Sequence, residues 1–162
     1  MNMKILMMGV VGALTAGLVQ AGNPQFNKGP VCIDDGKVAT CSMKLTGLGN
    51  GDLDVAIRVL SEPVEVSTLC KNPKGKLSPG QNPAAITDIG GDLRVPSNSI
   101  KNGSVTLKLS TDTPPDPTWS EAGCPNSQWK ASIADVIFVG ETVEITVMQN
   151  GILVLQTQDL IE

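Results

Sequence analysis

The chain has 162 residues, a formal net charge of −4, no histidine, no tyrosine, two tryptophans and two phenylalanines. The absence of histidine removes Ser-His-Asp and Cys-His catalytic arrangements from consideration. The acidic balance, with no basic stripe to offset it, argues against DNA or RNA as a partner.

The first 21 residues have the form of a secretory signal peptide. Lys4 supplies the positive start, residues 5–19 are apolar apart from glycines and Thr15, and Val19-Gln20-Ala21 ends on the small-x-small pattern of signal peptidase. Cleavage there removes Lys4, taking the charge from −4 to about −5, and removes four of the six methionines. No later apolar run approaches the ~20 residues of a membrane helix, and Gly22 rather than a lipoprotein cysteine follows the cut. The expectation is a soluble extracytoplasmic protein, periplasmic or extracellular, from what looks like a bacterial chain. Residues 22–162 suit a single domain whose core is built from Val, Ile and Leu, a composition that favours strands.

In an oxidising compartment the four cysteines form an even set, which permits three connectivities. The expectation is Cys32 with Cys41 and Cys70 with Cys124. Cys32 and Cys41 bracket Asp34-Asp35-Gly36, a sequence able to reverse the chain and set the two cysteines across a hairpin. No C-x-x-C spacing supports zinc.

From Val38 onward the pattern has period two. Ala39, Cys41, Met43 and Leu45 alternate with polar residues, and Leu53, Val55, Ile57 and Val59 do the same beyond the glycine-rich residues 47–51. These runs are expected to form a meander. Pro63 confines the next run, with Val64, Val66, Thr68 and Cys70 on one face, to an edge or to a strand starting just after the proline. Residues 71–83 carry three prolines and two glycines and read as an ordered surface loop with solvated lysines.

Strand-like segments resume at residues 84–89, 92–95 and 105–109. Asn102-Gly103-Ser104 is formally a glycosylation sequon but reads as a turn. The Pro-rich residues 111–118 cross the surface toward Trp119 and Cys124. Val143, Ile145 and Val147 then alternate up to Asn150-Gly151, a hairpin signal leading into residues 152–157. Turn signals about every ten residues, with no sustained helical spacing, predict an antiparallel β-sandwich of seven to nine strands with immunoglobulin-like architecture; a closed barrel is the alternative.

Carboxylates are the only abundant acid-base groups. Asp52 and Asp54 point to one strand face and are the candidate metal ligands, although the calcium-loop pattern fails and a solvated strand face accounts for both. Asp34 and Asp35 read as turn formers. Asp112 and Asp116 lie near Trp119, a combination able to grip a sugar or a peptide; the other use of Trp119 is to plug the core from its loop. No cofactor site is expected.

Three segments together carry a resemblance. They are Thr46-Gly-Leu-Gly-Asn50; Cys70-Lys-Asn-Pro-Lys-Gly-Lys76 followed by Pro79-Gly-Gln-Asn82; and Gly123-Cys-Pro-Asn126 with Trp129. In order and spacing they resemble a group of small exported β-rich bacterial proteins of unassigned activity. The resemblance implies a Cys70–Cys124 bridge with Trp129 packed nearby, and it implies no activity. Lys74 and Lys76 depart from the group's pattern of a glycine and a neutral residue. The functional expectation is a non-catalytic exported module with an unidentified protein or glycan partner, in a binding or structural role. A carboxylate-based glycan hydrolase is the alternative.

Overall fold

The computed structural model describes residues 22–162, so the expected leader lies outside the described residues. Eleven strands follow one another: β1 (Gln25–Asp34), β2 (Ala39–Thr46), β3 (Leu53–Val59), β4 (Val64–Lys71), β5 (Leu77–Pro79), β6 (Ala84–Ile86), β7 (Gly90–Val95), β8 (Val105–Ser110), β9 (Lys130–Val136), β10 (Thr142–Gln149) and β11 (Ile152–Leu160). Nine of them have six residues or more, within the expected seven to nine, and β5 and β6 are three-residue additions.

Where alternation is clean, the faces separate as period two requires. β3 buries Leu53, Val55, Ile57 and Val59 while exposing Asp54 and Arg58, and β10 buries Val143, Ile145 and Val147. β4 begins directly after Pro63 and buries Val64, Val66, Thr68 and Cys70. Asn150 and Gly151, with φ of 53° and 77°, close the β10–β11 hairpin as two left-handed residues between Gln149 and Ile152. Asn102 and Gly103, with φ of 50° and 68°, make the predicted turn, in which Lys101 and Ser104 exchange two backbone hydrogen bonds of 2.9 Å.

The strands form three antiparallel sheets: β1-β2-β8, β11-β10-β3-β7, and a third in which β4 has β9 along one edge and both β5 and β6 along the other. One continuous core joins all three, with Leu45, Leu53, Ile57, Val64, Val136, Phe138 and Ile145 fully buried. Each such side chain contributes roughly 1.5–3 kcal/mol. The architecture is a disulfide-bonded β-sandwich, and no closed barrel forms among the described residues.

The expected meander does not form. β2 pairs with β1 and β8, whereas β3 pairs with β10 and β7, so residues 47–51 carry the chain from one sheet to another. Gln149, only 5% exposed, organises this crossing: its Oε1 accepts the Gly49 N–H (3.1 Å), and its Nε2 donates to the carbonyls of Gly49 (2.8 Å) and Gly51 (3.3 Å).

Three strands lie where no alternation announces them. β1 carries register shifts on both sides of Lys28, which scramble its faces around Gly29 (φ 77°). β9 is offset from β4 by a shift at Ser67/Thr68. β5 lies inside the segment expected to be loop, recruited by pairing with residues 69–71 of β4.

Both disulfides are as expected. Cys32 and Cys41 face each other directly across β1 and β2, with Cα atoms 4.0 Å apart. Cys70 and Cys124 tie β4 to the loop before β9 (Cα–Cα 5.6 Å) and, with Ala122, form a second small core on which Trp129 and Ala131 pack. No described helix is long and apolar enough to cross a membrane.

Candidate functional site

The Pro-rich segment after β8 becomes a strap across the third sheet. Its start is pinned by two backbone bonds, Thr111 N–H to the Ala39 carbonyl (2.9 Å) and Asp112 N–H to the Gly90 carbonyl (2.7 Å). Pro114, Pro115 and Pro117 then offer no N–H, so the strap cannot pair with β6 as a further strand. It is tied down again by side chains. Asp116 Oδ1 accepts the Ile133 N–H of β9 (2.9 Å), and Glu121 Oε2 accepts both the N–H and the hydroxyl of Thr118 (2.7 Å each).

Glu121 N–H donates back to Thr118 Oγ1 (3.3 Å), completing a capping box over the single turn that leads to Cys124. The Thr118 hydroxyl, followed by the Thr118 backbone N–H, holds the Glu121 carboxyl below its ordinary pKa by bonding to its charged form.

Because the strap cannot pair with β6, a groove runs between them. One part, of about 420 Å³, has Val66, Ala84, Ile86 and Ile133 as its apolar lining beside Asp116 and Glu121. It continues past Ile86 and Pro115 into a second part of about 390 Å³ beside Asp88, Ile89 and Asp112. Four carboxylates line the two parts, and neither lining contains a lysine or arginine. β6 pairs only with β4, so its other edge has no strand partner among the described residues.

Of the residues singled out from sequence, Asp112 and Asp116 fall in this groove. Trp119 follows the strap but lines neither part, and at 39% exposure it does not plug the core. Asp52 is committed elsewhere: its Oδ1 accepts the Ser97 N–H (2.9 Å) and its Oδ2 pairs with Arg94 Nη2 (3.1 Å). The Ser97 N–H, then Arg94, lower its pKa. Asp54 stands opposite the same Arg94 in the β3–β7 register. Asp52 and Asp54 thus serve a polar sheet face. No group of three or more potential metal-ligating Cys, Asp or Glu residues occurs among the described residues.

Asp34 shapes its turn by accepting the Gly36 N–H (2.9 Å), and its other oxygen accepts the Phe138 N–H (3.0 Å). Asp35 bonds across the same turn through its N–H to the Val38 carbonyl (2.9 Å).

Asp88 and Glu121 are the groove carboxylates that sequence reasoning missed. For Glu121 a signal exists, since Thr118-x-x-Glu121 has capping-box spacing. Asp88 has none, because the β6–β7 connection and the strap meet only through the fold. No family model matches the chain, and no curated protein or solved structure matches it.

Proposed function

We propose that the chain is an exported, non-catalytic binding module that takes an extended, positively charged polypeptide segment into the groove between β6 and the strap, at the cell envelope or outside the cell. The observation that carries this reading is the lining: four carboxylates without a cation, above an apolar floor, beside a free strand edge. An extended segment can add to that edge through its main chain while alternate side chains meet the apolar floor and the acidic rim. Two disulfides support an oxidising destination. The leader and the kinship with small exported bacterial proteins belong to the same proposal and rest on their sequence segments alone.

The glycan-hydrolase alternative has less support. A general acid requires a carboxyl whose pKa is raised, whereas Glu121 is lowered and Asp116 already accepts a backbone N–H. Anisotropy titrations with fluorescent peptides alternating Lys with Val, against Glu-Val counterparts, test the proposal. Binding of the Lys peptides alone, weakened several-fold by Asp112→Asn and by added salt, is the expected result. Equal binding of both peptide types, or polysaccharide turnover abolished by Asp112→Asn, overturns it.

A further inference from the structure

The far end of β4 carries a second concavity of opposite sign. The β4–β9 register places Lys71 directly opposite Lys130, and like charges facing each other in an antiparallel pair are destabilising. Lys74 joins them from the tip of the β4–β5 hairpin. That tip is fixed by two main-chain bonds and the Asn72 side chain: Asn72 N–H donates to the Lys76 carbonyl, Gly75 N–H to the Asn72 carbonyl, and Lys76 N–H to Asn72 Oδ1, each at 2.9 Å. Lys71, Lys74 and Lys130, with Asn72, Gly75 and Gln128, line a hollow of about 440 Å³ whose lining contains no carboxylate.

None of the three lysines is engaged in an ion pair among the described residues. The ion pairs among the described residues join Arg58 to Asp92 and Arg94 to Asp52, and no lysine takes part. The frame is anchored, because Lys71 follows the disulfide-bonded Cys70 and Lys130 follows Trp129, which packs on the small core around that disulfide. A chain of net charge −4 thus gathers three ammonium groups around one hollow.

We propose that this hollow is a binding site for a phosphate or sulfate oxyanion. Its lining is rich in donors: three ammonium groups, and the amide nitrogen of Asn72, whose Oδ1 is already occupied by Lys76. Separated point charges suit a group with three or four acceptor oxygens, whereas a planar carboxylate is better matched by the fork of an arginine. The oxyanion enters free or carried on a sugar. The bound anion removes the repulsion between Lys71 and Lys130. This site is independent of the acidic groove and of its proposed ligand.

The test is an amide NMR titration of the disulfide-bonded protein at low ionic strength with inorganic phosphate, inorganic sulfate and a sulfated polysaccharide. Shifts confined to residues 71–76 and 128–130 are expected, with affinity reduced about tenfold or more in the Lys71→Gln/Lys130→Gln double variant. That variant should also melt at a higher temperature in the absence of anion, because the facing charges are gone. Lys74→Gln, at a tip held by main-chain bonds, repeats the binding test should the double variant fail to fold, and Lys101→Gln should bind as the parent does. Tighter binding of the polysaccharide than of both free ions identifies a carried oxyanion, and the reverse a free one. Shifts spread over all surface lysines, no response to any of the three probes, or unchanged affinity in the lysine variants would overturn the proposal.

Discussion

The two ends of β4 share one edge yet are built differently. At residues 64–66 the edge pairs with β6 and borders the acidic groove; at residues 69–71 it pairs with β5 and borders the lysine hollow. The chain between β5 and β6 separates them, held by Gly80 N–H on the Thr68 carbonyl (2.8 Å) and Gln81 N–H on the Ala122 carbonyl (3.0 Å). Position 80 must be glycine, because a Cβ there would collide with Thr68 Oγ1 and the Ala122 carbonyl. The lysine end is fastened by the disulfide, by main-chain bonds and by the neutral Asn72 amide, whereas the acidic end adds the Asp116 and Glu121 carboxylates to the two main-chain bonds that start the strap. Opposite charges therefore occupy neighbouring hollows without neutralising each other, and only the acidic end depends on titratable groups for its shape.

The strongest way to break this comparison is to remove the covalent fastening. On the chain-entropy model, Cys70→Ser with Cys124→Ser should cost about 4 kcal/mol for its separation of 54 residues, against about 2.5 kcal/mol for Cys32→Ser with Cys41→Ser at a separation of 9. Urea melts of the two double variants check this, and equal midpoints would show that the lysine end is held by something other than its bridge.

A smaller effect should come from the strap. Asp116→Ala leaves the Ile133 N–H without its acceptor and should cost about 1–2 kcal/mol, with Asp116→Asn recovering part of it. Hydrogen exchange should accelerate at Ile133 and stay slow at residues 69–71. Acceleration at both ends would mean that the two hollows are one cooperative unit.

The smallest effect is one of pH. Glu121 has a folded pKa below its ordinary value, so its contribution is fully present above the ordinary carboxylate range and is lost as pH falls through the lowered value. Acidification should therefore loosen the Thr118–Glu121 turn while leaving the β4–β5 tip intact. Asp52 titrates in the same direction, so the control is Glu121→Gln, in which the acid-induced rise in Thr118 amide exchange should vanish. Persistence of that rise in the variant would assign it elsewhere.

Much of the sandwich was legible in the sequence. Clean alternation located β3, β4 and β10, and Asn-Gly pairs located two turns, because both signals are local properties of pleated backbone. β1 was legible only at the Cys32 arm of its hairpin, and β9 not at all, where bulges shift the faces by one residue; β5 was not, because its strand character comes from its partner. Of the candidate site, Asp112 and Asp116 were legible as carboxylates in a Pro-rich segment close to Trp119, although Trp119 itself lines neither part of the groove.

The sequence by itself determined the strand-rich class, a disulfide-forming cysteine set and the acidic, histidine-free chemistry available to the chain. Residue type and period are enough for each of these. Only the tertiary structure decided that β2 and β3 lie in different sheets, that Asp88 and Glu121 join Asp112 and Asp116 along one groove, and that Lys71 faces Lys130. These depend on pairings between residues as far apart in the chain as Leu53 and Gln149, set by strand register and by the burial of a shared core, and neither quantity is written in the neighbourhood of any single residue.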